Sequence, residues 1–140
     1  MIKGLKKTKL RSLKNDSNFL RDGIKNYELK GKKFGELYTS TISYKEIRAW
    51  KLQKKLTIDL LVPIGKVKVC LYDGRLKNNK LGKKHKIILS QNPYFRLQIP
   101  PGVWYGFCGL SQNINLIIAI TNRIFNEKEV RRLDISELKF

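Results

Sequence analysis

Groups able to act as nucleophile, base or metal ligand are scarce in this sequence. The one histidine, His85, lies in Lys83-Lys84-His85-Lys86, flanked by three lysines. It reads as an exposed loop residue without a catalytic duty. One histidine cannot supply the ligands of a non-haem metal site, so no metal is expected. Cys70 and Cys108 sit inside apolar stretches, lack C-x-x-C spacing and have no paired histidines, which excludes a zinc site. They read as buried thiols in a reducing compartment rather than as a disulfide. A phosphate-binding Gly-x-x-x-x-Gly-Lys-Ser/Thr loop, a G-x-S-x-G nucleophile elbow and a credible Cys–His pair are all absent.

Cationic side chains are abundant instead. The formal net charge is +19, from 30 Lys and Arg against 11 Asp and Glu. Residues 1–34 hold 11 basic and three acidic residues, and residues 75–86 carry six Lys or Arg and no acid, so the charge gathers in an N-terminal segment and one internal loop. Such a field attracts polyanions, anionic lipid surfaces and phosphorylated metabolites alike. No nucleic-acid-binding motif and no aromatic–basic ladder accompanies it, so a nucleic-acid partner is not expected.

The elements that must position any site are strands. From residue 36 onward, β-branched and aromatic runs at 37–42, 56–62, 66–72, 86–89, 94–99, 105–108 and 115–121 alternate with turn signals such as Asp73-Gly74, Asn92-Pro93 and Pro100-Pro101-Gly102. Period two places Val67, Val69 and Leu71 on one face and Lys66, Lys68, Cys70 and Tyr72 on the other. Phe95, Leu97 and Ile99 likewise oppose Tyr94, Arg96 and Gln98. Residues 116–120 are apolar on both faces and predict a central strand covered on both sides. Seven or so short strands without intervening helices imply an all-β sandwich or jelly roll. Asn126 followed by Glu129 predicts a short helical turn through Arg132. Phe19, Leu20, Ile24, Tyr27 and Leu29 suggest a strand or two added at the sheet edge.

The length of 140 residues fits one domain spanning 1–140, with a basic N-terminal segment over 1–35 and a barrel over 36–134. Residues 1–14 carry six Lys or Arg and never more than two consecutive apolar residues, unlike a signal peptide. The longest apolar run, 116–120, is too short to span a bilayer. A soluble, cytoplasmic protein is expected.

Two windows carry a family resemblance. One is Arg48-Ala49-Trp50-Lys51-Leu52-Gln53, continuing through Gly65-Lys66-Val67-Lys68 to Tyr72-Asp73-Gly74-Arg75; the other is Ile99-Pro100-Pro101-Gly102-Val103-Trp104-Tyr105-Gly106-Phe107. Together they resemble the dTDP-4-dehydrorhamnose 3,5-epimerase cupins over residues 36–134. The resemblance implies a jelly roll, or double-stranded β-helix, of the RmlC-like kind. It further implies a nucleoside diphosphate sugar (dTDP-linked) bound in the barrel, no cofactor, and a homodimer exchanging strands at the sheet edge. In that family a histidine base removes a proton beside a C4 keto group, and a tyrosine on the opposite face acts as acid.

This chain departs from the family at those positions. Lys51 stands where the base histidine is expected, and the strand that carries the acid tyrosine reads Ile118-Ala119-Ile120-Thr121-Asn122. Tyr105 replaces a further histidine. A rearranged site would use Lys51 as base, its proton affinity lowered by burial, and Tyr105 as acid. Arg48 matches the arginine that grips the diphosphate, a task suited to a planar guanidinium, and Arg75 with Asp73 matches an Asp-x-Arg motif. Gln53 and Trp104 complete the expected substrate-binding set. The function implied is nucleotide-sugar 3,5-epimerase- or isomerase-like, in cell-surface polysaccharide synthesis; the alternative is a sugar-nucleotide-binding or assembly cupin without turnover.

Overall fold

The computed structural model describes residues 1–15, 18–29 and 33–140. Their strands are β1 (Lys6–Lys9), β2 (Ser12–Asn15), β3 (Asn18–Arg21), β4 (Glu36–Thr41), β5 (Ile47–Gln53), β6 (Ile58–Ile64), β7 (Lys66–Asp73), β8 (His85–Ser90), β9 (Phe95–Ile99), β10 (Val103–Gly109), β11 (Leu116–Thr121) and β12 (Val130–Arg132). Two five-stranded antiparallel sheets form, in the orders β1-β9-β6-β11-β4 and β12-β5-β10-β7-β8, with β2 and β3 as a separate hairpin.

Alternation decides which side chains fill the space between the sheets. Ile58, Leu60, Val62, Leu97, Ile99, Ile117 and Ala119 of the first sheet meet Val67, Val69, Leu71, Leu89, Val103 and Tyr105 of the second in one core. The opposite face of the first sheet carries Leu61, Tyr94 and Ile120, covered by Leu10 and Ile24 from the N-terminal segment. β11 is therefore apolar on both faces for the expected reason. The outer face of the second sheet carries Trp50, Leu52, Cys70 and Trp104, covered by Leu133, Leu138 and Phe140 from the C-terminal segment. There the Trp50 indole donates to the Leu138 carbonyl at 3.0 Å and the Tyr72 hydroxyl to the Lys139 carbonyl at 2.7 Å.

The Pro-Pro-Gly corner turns as its residues require: Gly102 has φ +78°, a left-handed value that glycine adopts without strain. Its N–H donates to the Gln53 carbonyl at 2.8 Å, and its carbonyl accepts from Gly74 at 3.0 Å.

Two local expectations change, and one strand, β5, lies outside the expected runs. The helical turn does not run through Arg132. A 3-10 turn covers only Glu127–Glu129, capped where the Asn126 carboxamide accepts from Lys128 N–H. Val130, Arg131 and Arg132 then go extended to pair with Gln53, Leu52 and Lys51, because that open sheet edge satisfies their backbone groups. The N-terminal segment contributes three strands, β1 alone joining a sheet edge, beside β9. β5 follows no period-two pattern in the sequence because it carries a bulge: Arg48 pairs with Phe107 and Lys51 with Tyr105, so two residues oppose Gly106.

Candidate functional site

A cavity of about 190 Å³ opens between the two sheets, lined by Tyr38 and Ser40 of β4, Ile58 and Leu60 of β6, Arg48 and Lys51 of β5, Tyr105 and Phe107 of β10, and Ile117 and Ala119 of β11. Its floor is aliphatic and its polar groups converge from β4, β5 and β10, the usual make-up of a small-molecule site. The bulge in β5 brings both Arg48 and Lys51 to it. Without the extra residue, Arg48 and Lys51 would lie on opposite faces of a regular strand, since side chains alternate.

Tyr105 is buried and its phenol is pushed up to about 12, chiefly by burial, with a smaller opposing effect from the Gln53 hydrogen bond. The buried Gln53 carboxamide donates to the Tyr105 hydroxyl at 3.4 Å. Because Gln53 occupies an acceptor site on that oxygen, the hydroxyl keeps its own hydrogen to donate. Directly across the strand pair from Tyr105 stands Lys51, exposed at the rim. Partial loss of water lowers its ammonium pKa below the ordinary lysine value, and the charges of Arg132 and Arg48 act in the same direction, against Glu127. Arg48 is held at 2.7 Å by Glu46 through Nε. Burial first, and then Glu36, raise the pKa of Tyr38.

Lys51, Tyr105, Arg48 and Gln53 thus come together, whereas three other candidates lie elsewhere. Trp104 follows Val103 and precedes Tyr105 on β10, so alternation sends it to the outer face, where Arg131 lies over its ring at 5.4 Å. Asp73 and Arg75 form a clasp beside the Pro-Pro-Gly corner: Arg75 Nε and Nη2 donate to the Asp73 carboxylate at 2.8 and 2.7 Å, and Nη2 also to the Lys3 carbonyl at 2.8 Å. That clasp holds the Asp73 carboxyl below the usual range and ties the N-terminus to the corner. His85 begins β8 opposite Leu71, away from the cavity lining. No cluster of metal-ligating groups occurs among the described residues, and none of their helices is long and apolar enough to cross a membrane. Sequence reasoning missed Tyr38 and Ser40 as cavity wall, and Arg132 beside Lys51.

Two facing antiparallel sheets with a polar-mouthed cavity between them define a cupin. Its likeness to solved structures is extensive. A dTDP sugar isomerase from Desulfovibrio desulfuricans superposes with a TM-score of 0.87 and 28% identity, over 95% of this chain and 85% of that one. A dTDP-4-dehydrorhamnose 3,5-epimerase from Bacillus anthracis, solved with TDP and PPi bound, gives 0.78 and 20%, over 93% and 78%. A sugar 3,4-ketoisomerase from Thermoanaerobacterium thermosaccharolyticum, in complex with TDP, gives 0.75 and 18%, over 95% and 90%. No protein-family model and no curated protein sequence matches the chain. The chain thus has the RmlC-like cupin fold and is similar over nearly its whole length to dTDP-sugar isomerases and 3,5-epimerases.

Proposed function

We propose that this protein binds a dTDP-linked 4-keto sugar in the cavity and moves a proton beside its carbonyl, as a 3,5-epimerase- or isomerase-like enzyme of dTDP-rhamnose-type polysaccharide synthesis in the cytoplasm. One observation carries the reading: Lys51 and Tyr105 stand side by side on neighbouring strands, Lys51 at the rim and Tyr105 within, lining a cavity whose wall also holds Arg48. Arg48 supplies a guanidinium for the diphosphate. Lys51, with its proton affinity lowered by partial burial, removes the proton on carbon next to the carbonyl. Tyr105, oriented by Gln53, hydrogen-bonds the oxygen on which enolate charge develops, and the step closes when a proton returns to carbon, from the Lys51 ammonium on the same face or from water on the opposite face. A homodimer formed at a sheet edge, with β1 as the exchanged strand, accompanies this reading.

The test is deuterium uptake. In D2O the wild type should place deuterium on the ring carbons flanking the keto group of a dTDP-4-keto-6-deoxy sugar, read by NMR. Lys51→Met should lose uptake by at least about a hundredfold, the usual contribution of one acid or base. Wild-type rates for Lys51→Met would remove that residue from the mechanism. A second reading has its own support, since among the described residues no imidazole or carboxylate lines the cavity: a sugar-nucleotide-binding or assembly cupin without turnover. Tight dTDP binding with no deuterium uptake in the wild type would establish it.

A further inference from the structure

We propose that Arg132 is a phosphate-gripping residue at the mouth of the cavity, and that the Glu127 carboxylate occupies its guanidinium until a phosphate displaces it. The inference rests on the reading that the cavity takes a nucleoside diphosphate sugar, and adds the part of the site that receives its charged end.

The geometry comes from the second sheet. Arg132 of β12 pairs directly with Lys51 of β5, which pairs directly with Tyr105 of β10. Directly opposed residues on adjacent strands share a face, so Arg132, Lys51 and Tyr105 form one row running from the sheet edge into the cavity. The neighbouring Arg131 confirms the sense of this row: it lies over the ring of Trp104, on the outer face. With Arg48, three cationic side chains therefore surround the opening.

Two of the three are already held by carboxylates. Arg48 binds Glu46 through Nε alone. Arg132 binds Glu127 with both ends of its fork, Nη1 to Oε1 and Nη2 to Oε2, the latter at 3.0 Å. A two-point guanidinium–carboxylate contact has the shape of a guanidinium–phosphate contact. Both partners are exposed, and an exposed ion pair is weak enough to be exchanged for a dianion. Glu127 sits in the one-turn 3-10 segment immediately before β12, so releasing it needs only a side-chain rotation. No carboxylate lies within salt-bridge distance of Lys51 among the described residues, which leaves it available to the same ligand.

Calorimetric titration of the full chain with dTDP, and separately with inorganic pyrophosphate, tests this. Arg132→Gln should weaken dTDP binding about tenfold, the effect of losing a charged two-point contact. Arg132→Lys should recover only part of that, because an ammonium cannot make the fork. Glu127→Gln should tighten binding about threefold by removing the competing ion pair. Arg131→Gln, on the opposite face, should bind as the wild type does. Unchanged affinity in Arg132→Gln, or equal or weaker binding in Glu127→Gln, overturns the proposal. Arg132-dependent pyrophosphate binding with no gain from the thymidine would uphold the phosphate grip while refuting the nucleotide-sugar reading. No binding of either probe by the wild type refutes both.

Discussion

Replacing Tyr105 with phenylalanine should flatten the loss of stability at alkaline pH. Tyr105 is 5% exposed, and burial, reinforced slightly by Tyr38, lifts its phenol from 10.0 to about 12 against the Gln53 hydrogen bond and Arg132. Below the unfolded value of 10.0 the phenol is protonated in both states, so its neutrality costs nothing. Between 10.0 and about 12 the unfolded chain releases a proton that the folded chain keeps, and the balance moves toward unfolding. Above about 12 both states are ionised and the loss is complete. At about 1.4 kcal/mol per pKa unit, the difference amounts to about 2–3 kcal/mol over that window. Urea unfolding followed by the emission of the buried Trp50 and Trp104, at steps from about pH 9 to 12, measures it. Lysine titration affects wild type and variant equally and cancels in the comparison. Parallel curves for wild type and Tyr105→Phe would falsify the argument that burial keeps this phenol neutral.

Deuterium uptake should rise with pH through a midpoint below the ordinary lysine value of 10.5, because burial and then Arg132 lower Lys51; Arg132→Gln should move that midpoint upward, and a midpoint indifferent to Arg132 would show that the two do not interact. Asn115→Ala should cost about 3 kcal/mol in urea unfolding, because the buried carboxamide accepts from Lys66 and Ser111 N–H and donates to the Ile42 and Ser111 carbonyls, all orphaned by the change. Removing residues 134–140 should convert Cys70 from unreactive to fully reactive toward Ellman's reagent, since Leu138 and Phe140 cover its cluster; continued protection would mean that other groups shield the thiol. Arg48→Gln should weaken dTDP binding about tenfold in the same calorimetric assay, as expected for a charged contact to the diphosphate.

Strands built on strict alternation were legible from the amino-acid string. Val67, Val69 and Leu71 enter the core, and Cys70 and Tyr72 take the other face, because nothing interrupts period two on β7. The both-sided apolarity of 116–120 announced a central strand, and β11 lies between β6 and β4. The Pro-Pro-Gly corner was legible for a different reason: its restraint is local, written in the φ preferences of three adjacent residues.

The site was less legible because its residues are brought together by pairing between distant strands. Arg48 and Lys51 are three apart, a spacing that puts them on one face only once a bulge opposite Gly106 is known. Trp104 looked like cavity wall beside Tyr105 for want of applying alternation across the corner, though the same rule that placed Val67 and Cys70 apart separates these two aromatics. Asp73 and Arg75 were read through a resemblance, and their two-residue spacing closes a local clasp instead. Glu127 and Arg132, five apart, match neither a strand nor a helix period; only the capture of β12 by the free edge of β5 sets Arg132 beside Lys51. The proposed phosphate grip therefore depends on an edge pairing of three residues. Weakening that pairing, for instance with Arg131→Pro, which removes the N–H that residue brings to the sheet edge, should disturb Lys51 and phosphate binding before it unfolds the barrel. Loss of dTDP affinity with an unchanged unfolding midpoint in urea is the expected result, and a variant that keeps full affinity would show that β12 does not shape the site.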